Sequence, residues 1–170
     1  AKARTFLKAG QHIFLASGTT VHAFAQSLND TLPLTVITDA VNIAYELSTF
    51  PNIQLLSVGG ELRPNSLTLT GKMAEENLSN FQMEAAFIGI NAIDRDGNIY
   101  VSSIVESSIL HVLFERVPHI YILADASKLG QKDFVHVGAL DSRHTLITTN
   151  EIPKDCLDTY QALGTEIVLA

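Results

Sequence analysis

The stretch "FLASGTT", residues 14–20, decides how this chain is read. The apolar run "HIFLA" (12–16) gives way to Ser17, Gly18, Thr19 and Thr20, which carry almost no side-chain bulk, and a helical pattern begins at once. Val21, Phe24, Ala25 and Leu28 recur at the spacing of one helix face. A strand emptying through small residues into a helix has two meanings. A Ser or Thr caps the helix while the glycine closes a turn. Alternatively, the N–H groups of Gly18, Thr19 and Thr20, helped by Ser17, cradle an anion at the positive end of the helix.

Outward from that stretch, the runs "LTVIT" (34–38), "IQLLSV" (53–58), "EAAFIGI" (84–90), "HIYILA" (119–124) and "HTLITT" (144–149) are rich in β-branched residues and read as strands. They are nearly continuous in hydrophobicity, which implies burial on both faces. Helical spacings separate them, among them Val105, Ile109, Val112 and Leu113, then Cys156, Tyr160 and Leu163. The expected fold is α/β, a mainly parallel sheet covered by helices. The Asp96-Gly97 pair inside "DRDGNIYVSS" (94–103) adds a small antiparallel hairpin insertion. With 170 residues, 46% of them hydrophobic, the chain suits a single domain over residues 1–170. Its opening, "AKARTFLKAG", reads as the end of a helix stopped by Gly10, so a further segment is expected upstream.

Composition excludes several chemistries. Eleven Lys and Arg against 18 Asp and Glu give a net charge of −7, with no basic run to neutralise nucleic-acid phosphates. The single Cys156 allows no internal disulfide, and no apolar run is long enough to span a membrane. A cytoplasmic protein without membrane partners is expected. "DRDGN" opens like a calcium loop, but Ile99 and Val105 occupy positions that need glycine and a bidentate acid. The six histidines show no ligand spacing, so no metal site is expected. Neither GxGxxG, a P-loop nor GxSxG occurs, and no cofactor is expected.

In open α/β sheets, ligands bind beyond the carboxyl ends of the strands, which directs attention to the loops there. In "TDAVN" (38–42), Thr38 ends a strand, and Asp39 either caps the next helix or accepts a sugar hydroxyl. "VGGELRPNSLTLTG" (58–71) permits close backbone approach at Gly59 and Gly60 and brings Glu61 and Arg63 near the rim. Asn91 presents an amide to a ligand or closes a turn. In "DASKLGQKD" (125–133), Asp125 and Lys128 face one pocket if a helical turn starts there, and Lys128 offers the counter-charge a phosphate needs.

These stretches, with "EAAFIGINAIDRDGNIY" and the Val105-Glu106 pair, stand in the order seen in the C-terminal sensor domain of DeoR-family bacterial transcription regulators, which the chain resembles over nearly its whole length. The resemblance implies a ribose-5-phosphate isomerase-like fold and a phosphorylated sugar as effector. It implies a homo-oligomer that meets operator DNA only through an N-terminal helix-turn-helix domain absent from this chain. The phosphate is then expected on Ser17, Gly18, Thr19, Thr20 and Lys128. The sugar is expected against Thr38, Asp39, Gly59, Gly60, Glu61, Asn91, Glu106 and Asp125. The related isomerases carry acids where this chain has Ile88, Asn91 and Ala92, so no catalytic residue is expected, although a sugar-phosphate isomerase is the alternative. Two positions depart from the regulators: Ala16 replaces a common acid, and Ile109 lies near a common basic position.

Overall fold

The computed structural model describes residues 2–28 and 32–170. Six strands fall where the apolar runs predict: β1 (His12–Leu15), β2 (Leu34–Thr38), β3 (Ile53–Ser57), β6 (Ala85–Ile88), β9 (Ile120–Leu123) and β11 (His144–Thr148). With β12 (Glu166–Leu169) they form a seven-stranded sheet in the order β12-β11-β9-β6-β1-β2-β3, parallel throughout. The sequence reading did not include β12. Its ends are exposed and it pairs only at the edge, so its apolar signal is short.

Alternation along the strands divides the core in two. Ile13, Leu15, Val36, Phe87 and Tyr121 face one side, where α1 (Thr19–Gln26), α2 (Val41–Leu47) and the 3-10 turn Lys2–Phe6 cover them. On that side Phe24, Phe87, Tyr121 and Phe6 form a chain of aromatic contacts with centroids 4.6–4.9 Å apart. Phe14, Ile37, Ala86, Ile88, Ile120 and Leu146 face the other side, under α3 (Lys72–Ser79), α4 (Ile104–Arg116) and α5 (Lys154–Ala162). Cys156 lies on α5, fully buried.

The expected hairpin insertion is present as β7 (Ala92–Ile93) and β8 (Asn98–Val101), with Gly97 at φ 87° in the turn. Asp94 organises it. Burial works against its charge, but hydrogen bonds from Asn98, Tyr100 and the Asp96 N–H prevail and hold the carboxyl below its ordinary value. A third strand, β10 (Val135–Ala139), joins β8 antiparallel and makes the insertion a three-stranded sheet. A second hairpin, β4 (Glu61–Arg63) with β5 (Thr68–Thr70), occupies the stretch expected to be loop. Its pairing is short and one strand is wholly exposed, which leaves little hydrophobic period to read.

Topology fixes where a ligand can enter. From β1 the chain moves outward through β2 to β3, then returns to β6 on the opposite side of β1 and proceeds to β9, β11 and β12. The connections leave in opposite directions at the β1/β6 boundary, and such a switch point opens a crevice.

Candidate functional site

A cleft of about 630 Å³ lies at that switch point, within the range of small-molecule sites. Its walls come from the loops after β1, β2, β6 and β9, the tip of the β4–β5 hairpin and the first turns of α4.

The loop after β1 is built around Gly18, the N-cap of α1, at φ 140°. No side chain caps this helix, neither Ser17 nor a threonine. Helix geometry leaves the N–H groups of Gly18, Thr19, Thr20 and Val21 without an intrahelical acceptor. The N–H of Ser17 is occupied, donating to Asp39 Oδ1 at 2.7 Å. Between the two readings of "SGTT", the cap is excluded and the open amide cluster remains. Ser17, Gly18, Thr19 and Thr20 all line the cleft.

Asp39 does not cap α2, whose N-cap is Ala40 without a side-chain bond. Its carboxylate instead turns back beneath the β1 loop. Burial pushes its carboxyl up to about 7 against the Ser17 hydrogen bonds, and the charge of Glu106 pushes the same way. Its own carbonyl accepts the Leu69 N–H at 2.7 Å, so one residue joins the amide loop to the β4–β5 hairpin.

In the wall that follows β9, Asp125 caps and Lys128 ends the expected turn, a 3-10 helix over Ala126–Lys128. Asp125 accepts from the N–H and the hydroxyl of Ser127, and with the Lys128 ammonium these hold its carboxyl below the ordinary value. Asn91 lines the cleft, and it closes no turn: its Oδ1 accepts the Ser102 N–H at 3.3 Å across the open end of the β7–β8 hairpin. Glu106 lies in the first turn of α4, capped by Ser103.

Four expected sugar-contacting residues are not part of these walls. Thr38 is fully buried, outside the cleft lining; its hydroxyl donates to the Leu15 carbonyl at 2.6 Å and accepts the Ala40 N–H at 3.0 Å, so it ties β2 to β1 and to the start of α2. Gly59 and Gly60 serve packing. A Cβ on Gly60 stands 2.5 Å from the Thr70 carbonyl oxygen, so the hairpin closes against it and no ligand approaches there. Glu61 and Arg63 sit on exposed β4, paired to Thr70 and Thr68, outside the cleft.

Conversely, His22, Asn42, Asn65, Ser66, Thr68 and Thr70 line the cleft and were not singled out. Thr68 and Thr70 are two apart on β5, so period-2 alternation was the available signal. Asn42 follows Asp39 by three residues. Val101, Val105, Ile109 and Leu110 supply a hydrocarbon floor. Ala16 and Ile109, the two departures, both belong to the lining.

Of the three positions expected from the resemblance to match isomerase acids, Ile88 and Ala92 are buried in the core and Asn91 reaches the cleft. Among the described residues no group of three or more His, Cys, Asp or Glu is placed to hold a metal ion. No helix among them is long and apolar enough to cross a membrane.

The family model of the DeoR C terminal sensor domain matches residues 1–150. The uncharacterized HTH-type transcriptional regulator YulB of Bacillus subtilis is 32% identical over 147 residues, covering 86% of this chain and 57% of that protein. The glycerol-3-phosphate regulon repressor of Escherichia coli is 28% identical over 131 residues, covering 77% of this chain and 52% of the repressor. This chain therefore spans little more than half the length of either relative. Among solved structures, ribose 5-phosphate isomerase A from Methanocaldococcus jannaschii matches with a TM-score of 0.53 at 17% identity, over 75% of this chain and 50% of the isomerase. At that identity the likeness extends to the fold alone.

Proposed function

The chain belongs to the DeoR C-terminal sensor domain family, and from that membership we propose that it is the effector-sensing domain of a transcriptional repressor of carbohydrate metabolism, switched by a phosphorylated sugar. The observation that carries the reading is the uncapped N-terminus of α1, opening on a cleft that Lys128 also lines. Partnerless amides, a helix dipole and an ammonium group together favour a phosphate. The phosphate would sit on the N–H groups of Gly18, Thr19 and Thr20, with the Ser17 hydroxyl and Lys128 beside it. Asp39, Asn91, Glu106 and Asp125 would meet the sugar. Charge-assisted hydrogen bonds contribute roughly 1.5–3 kcal/mol each, so a handful, less ordering costs, gives micromolar to millimolar affinity.

The single domain over residues 1–170 would act in the cytoplasm as part of a homo-oligomer whose operator contacts come from a helix-turn-helix domain upstream. The net charge of −7 agrees with DNA contacts lying outside this chain. Effector binding would shift operator affinity about 5–150-fold, a coupling of about 1–3 kcal/mol. An isomerase needs a general base beside the carbonyl, and Ile88, Asn91 and Ala92 supply none. The domain binds its ester without turning it over.

A thermal-denaturation screen of hexose and pentose monophosphates against the parent sugars tests this. The phosphate esters are expected to raise the midpoint, the parent sugars to leave it unchanged, and Lys128→Ala to remove the shift. Equal shifts from the unphosphorylated sugars would sink the reading. Turnover of any ester by the purified domain would restore the isomerase.

A further inference from the structure

We infer that Asp39 holds the effector as the neutral acid, donating a hydrogen bond to a ligand oxygen, so that effector binding is coupled to uptake of a proton from solvent. This rests on the sugar-phosphate reading above and specifies how one of its residues works. Asp39 lines the cleft but is only 3% exposed. None of the ion pairs among the described residues includes it. Its Oδ1 accepts the Ser17 N–H at 2.7 Å, and its Oδ2 is left with one long contact, to the Ser17 hydroxyl at 3.5 Å. Hydrogen bonds from one uncharged serine do not replace a cation for a buried carboxylate.

The charges around it favour the same form. From α4, Glu106 lines the cleft, and its charge raises the Asp39 carboxyl in concert with burial. Asp125 and Lys128 stand in the wall after β9. His22 comes from α1, its Nε2 3.7 Å from Glu46 Oε2 on α2. The β4–β5 hairpin contributes only the uncharged Asn65, Ser66, Thr68 and Thr70. One ammonium and one imidazole thus face three carboxyl groups before any ligand arrives. A phosphate dianion on the amides that follow Ser17 adds negative charge and favours the acid further. An ionised carboxylate only accepts hydrogen bonds, whereas the acid keeps Oδ1 for the Ser17 N–H and offers Oδ2–H to an ester or sugar oxygen. As pH rises through about 7 the free domain gives up that proton, so affinity falls.

Calorimetric titration of the domain decides it. The probe is whichever hexose or pentose monophosphate gives the largest thermal shift, with inorganic phosphate beside it. In buffers of unlike ionisation enthalpy near pH 7.5, the parent domain is expected to take up about half a proton per ester bound. Between about pH 6.5 and 8.5, with circular dichroism showing the folded state throughout, its ester affinity is expected to fall about tenfold. Asp39→Asn keeps an acceptor for Ser17 and puts an amide donor in place of the acid. It is expected to lose both effects, and at the upper pH to bind the ester more tightly than the parent does. The ester's own ionisation is common to both proteins, so the difference between them belongs to Asp39. His22→Gln removes the cleft imidazole and is expected to keep the decline. No proton uptake by the parent, or a decline that survives in Asp39→Asn, overturns the inference and leaves the sensor reading standing. Loss of the ester by folded Asp39→Asn at every pH does the same, because it marks the carboxylate as an acceptor. Failure of every ester and of inorganic phosphate overturns both.

Discussion

Two glycine-bearing loops of this molecule look alike as sequence and do opposite things as structure. "SGTT" follows β1 and "VGGE" follows β3, and both offer a backbone free of side-chain bulk at a strand end. At Gly18 the conformation needs a glycine, at φ 140°, but an added Cβ would meet nothing within 4 Å. At Gly60, φ is 104°, and the added atom would lie 2.5 Å from the Thr70 carbonyl oxygen and 3.1 Å from Ala74 Cβ. The first loop is kept open and lines the cleft. The second is filled by the hairpin and α3, where Asn77 Nδ2 donates to the Val58 carbonyl at 2.7 Å. A glycine at a strand end therefore signals close approach of something, and only the packing around it says whether that something is a ligand or the chain itself.

The comparison can be broken by experiment. Gly60→Ala combines positive-φ strain with a clash against backbone and is expected to cost roughly 3–5 kcal/mol in chemical denaturation. A loss no larger than that of Gly18→Ala would show the two loops to be equivalent after all.

Asp39 supplies the next largest effect, through pH. The folded chain keeps its proton to about pH 7, whereas an ordinary aspartate releases it near 3.8. Between those values the native state binds more protons than the unfolded chain, so this group's stabilisation is complete below pH 3.8 and is lost as pH rises through 7. The fall amounts to about 4 kcal/mol at most, at 1.36 kcal/mol per pH unit. Asp39→Asn should flatten that slope in denaturation midpoints measured from pH 4 to 8, and an unchanged slope would remove Asp39 as its source.

Thr38→Val should cost about 2 kcal/mol, because the Leu15 carbonyl and the Ala40 N–H lose a buried partner. Ester affinity measured on the folded fraction should stay the same, and a tenfold loss would return Thr38 to the ligand. Gly18→Ala should cost only about 1 kcal/mol of stability through backbone strain. It should nevertheless weaken ester binding about tenfold as the amide cluster shifts, which calorimetry would detect. Unaltered affinity would show that the amides do not hold the phosphate.

The readable parts of the fold are those whose signal is local. Five of the six legible strands of the main sheet are short apolar runs because most of their residues are buried; β3, at the sheet edge, is legible from its run of Ile and Leu although its residues are only half-buried or exposed. The hairpin insertion was visible because Asp-Gly is a turn in its own right. β10 and β12 were missed: residues 135–139 mix buried, intermediate and exposed positions, and β12 pairs on one side only. At the site, Ser17, Gly18, Thr19, Thr20 and Lys128 were found from strand-end position and residue type. Asn65, Ser66, Thr68 and Thr70 escaped because they reach the cleft through a hairpin folded over it from residues that resemble a surface loop. Glu61 and Arg63, from that same stretch, are expected at the rim but belong to β4, the wholly exposed strand of the hairpin; they share a sheet face with their partners Thr70 and Thr68, and only the threonines reach the cleft.

By itself the sequence determined the alternation of strands and helices, the acidic surface, and the bare backbone at the head of α1. These follow from periodicity, charge and side-chain volume, which act over a few residues. Tertiary structure alone decided which of Asp39's possible partners it takes, which glycine loop stays open, and that Asn91 accepts from Ser102. Each of those depends on groups 11 to 22 residues apart, or on separate loops, competing for one donor or one volume. Such competition is settled only when the sheet brings the competitors together.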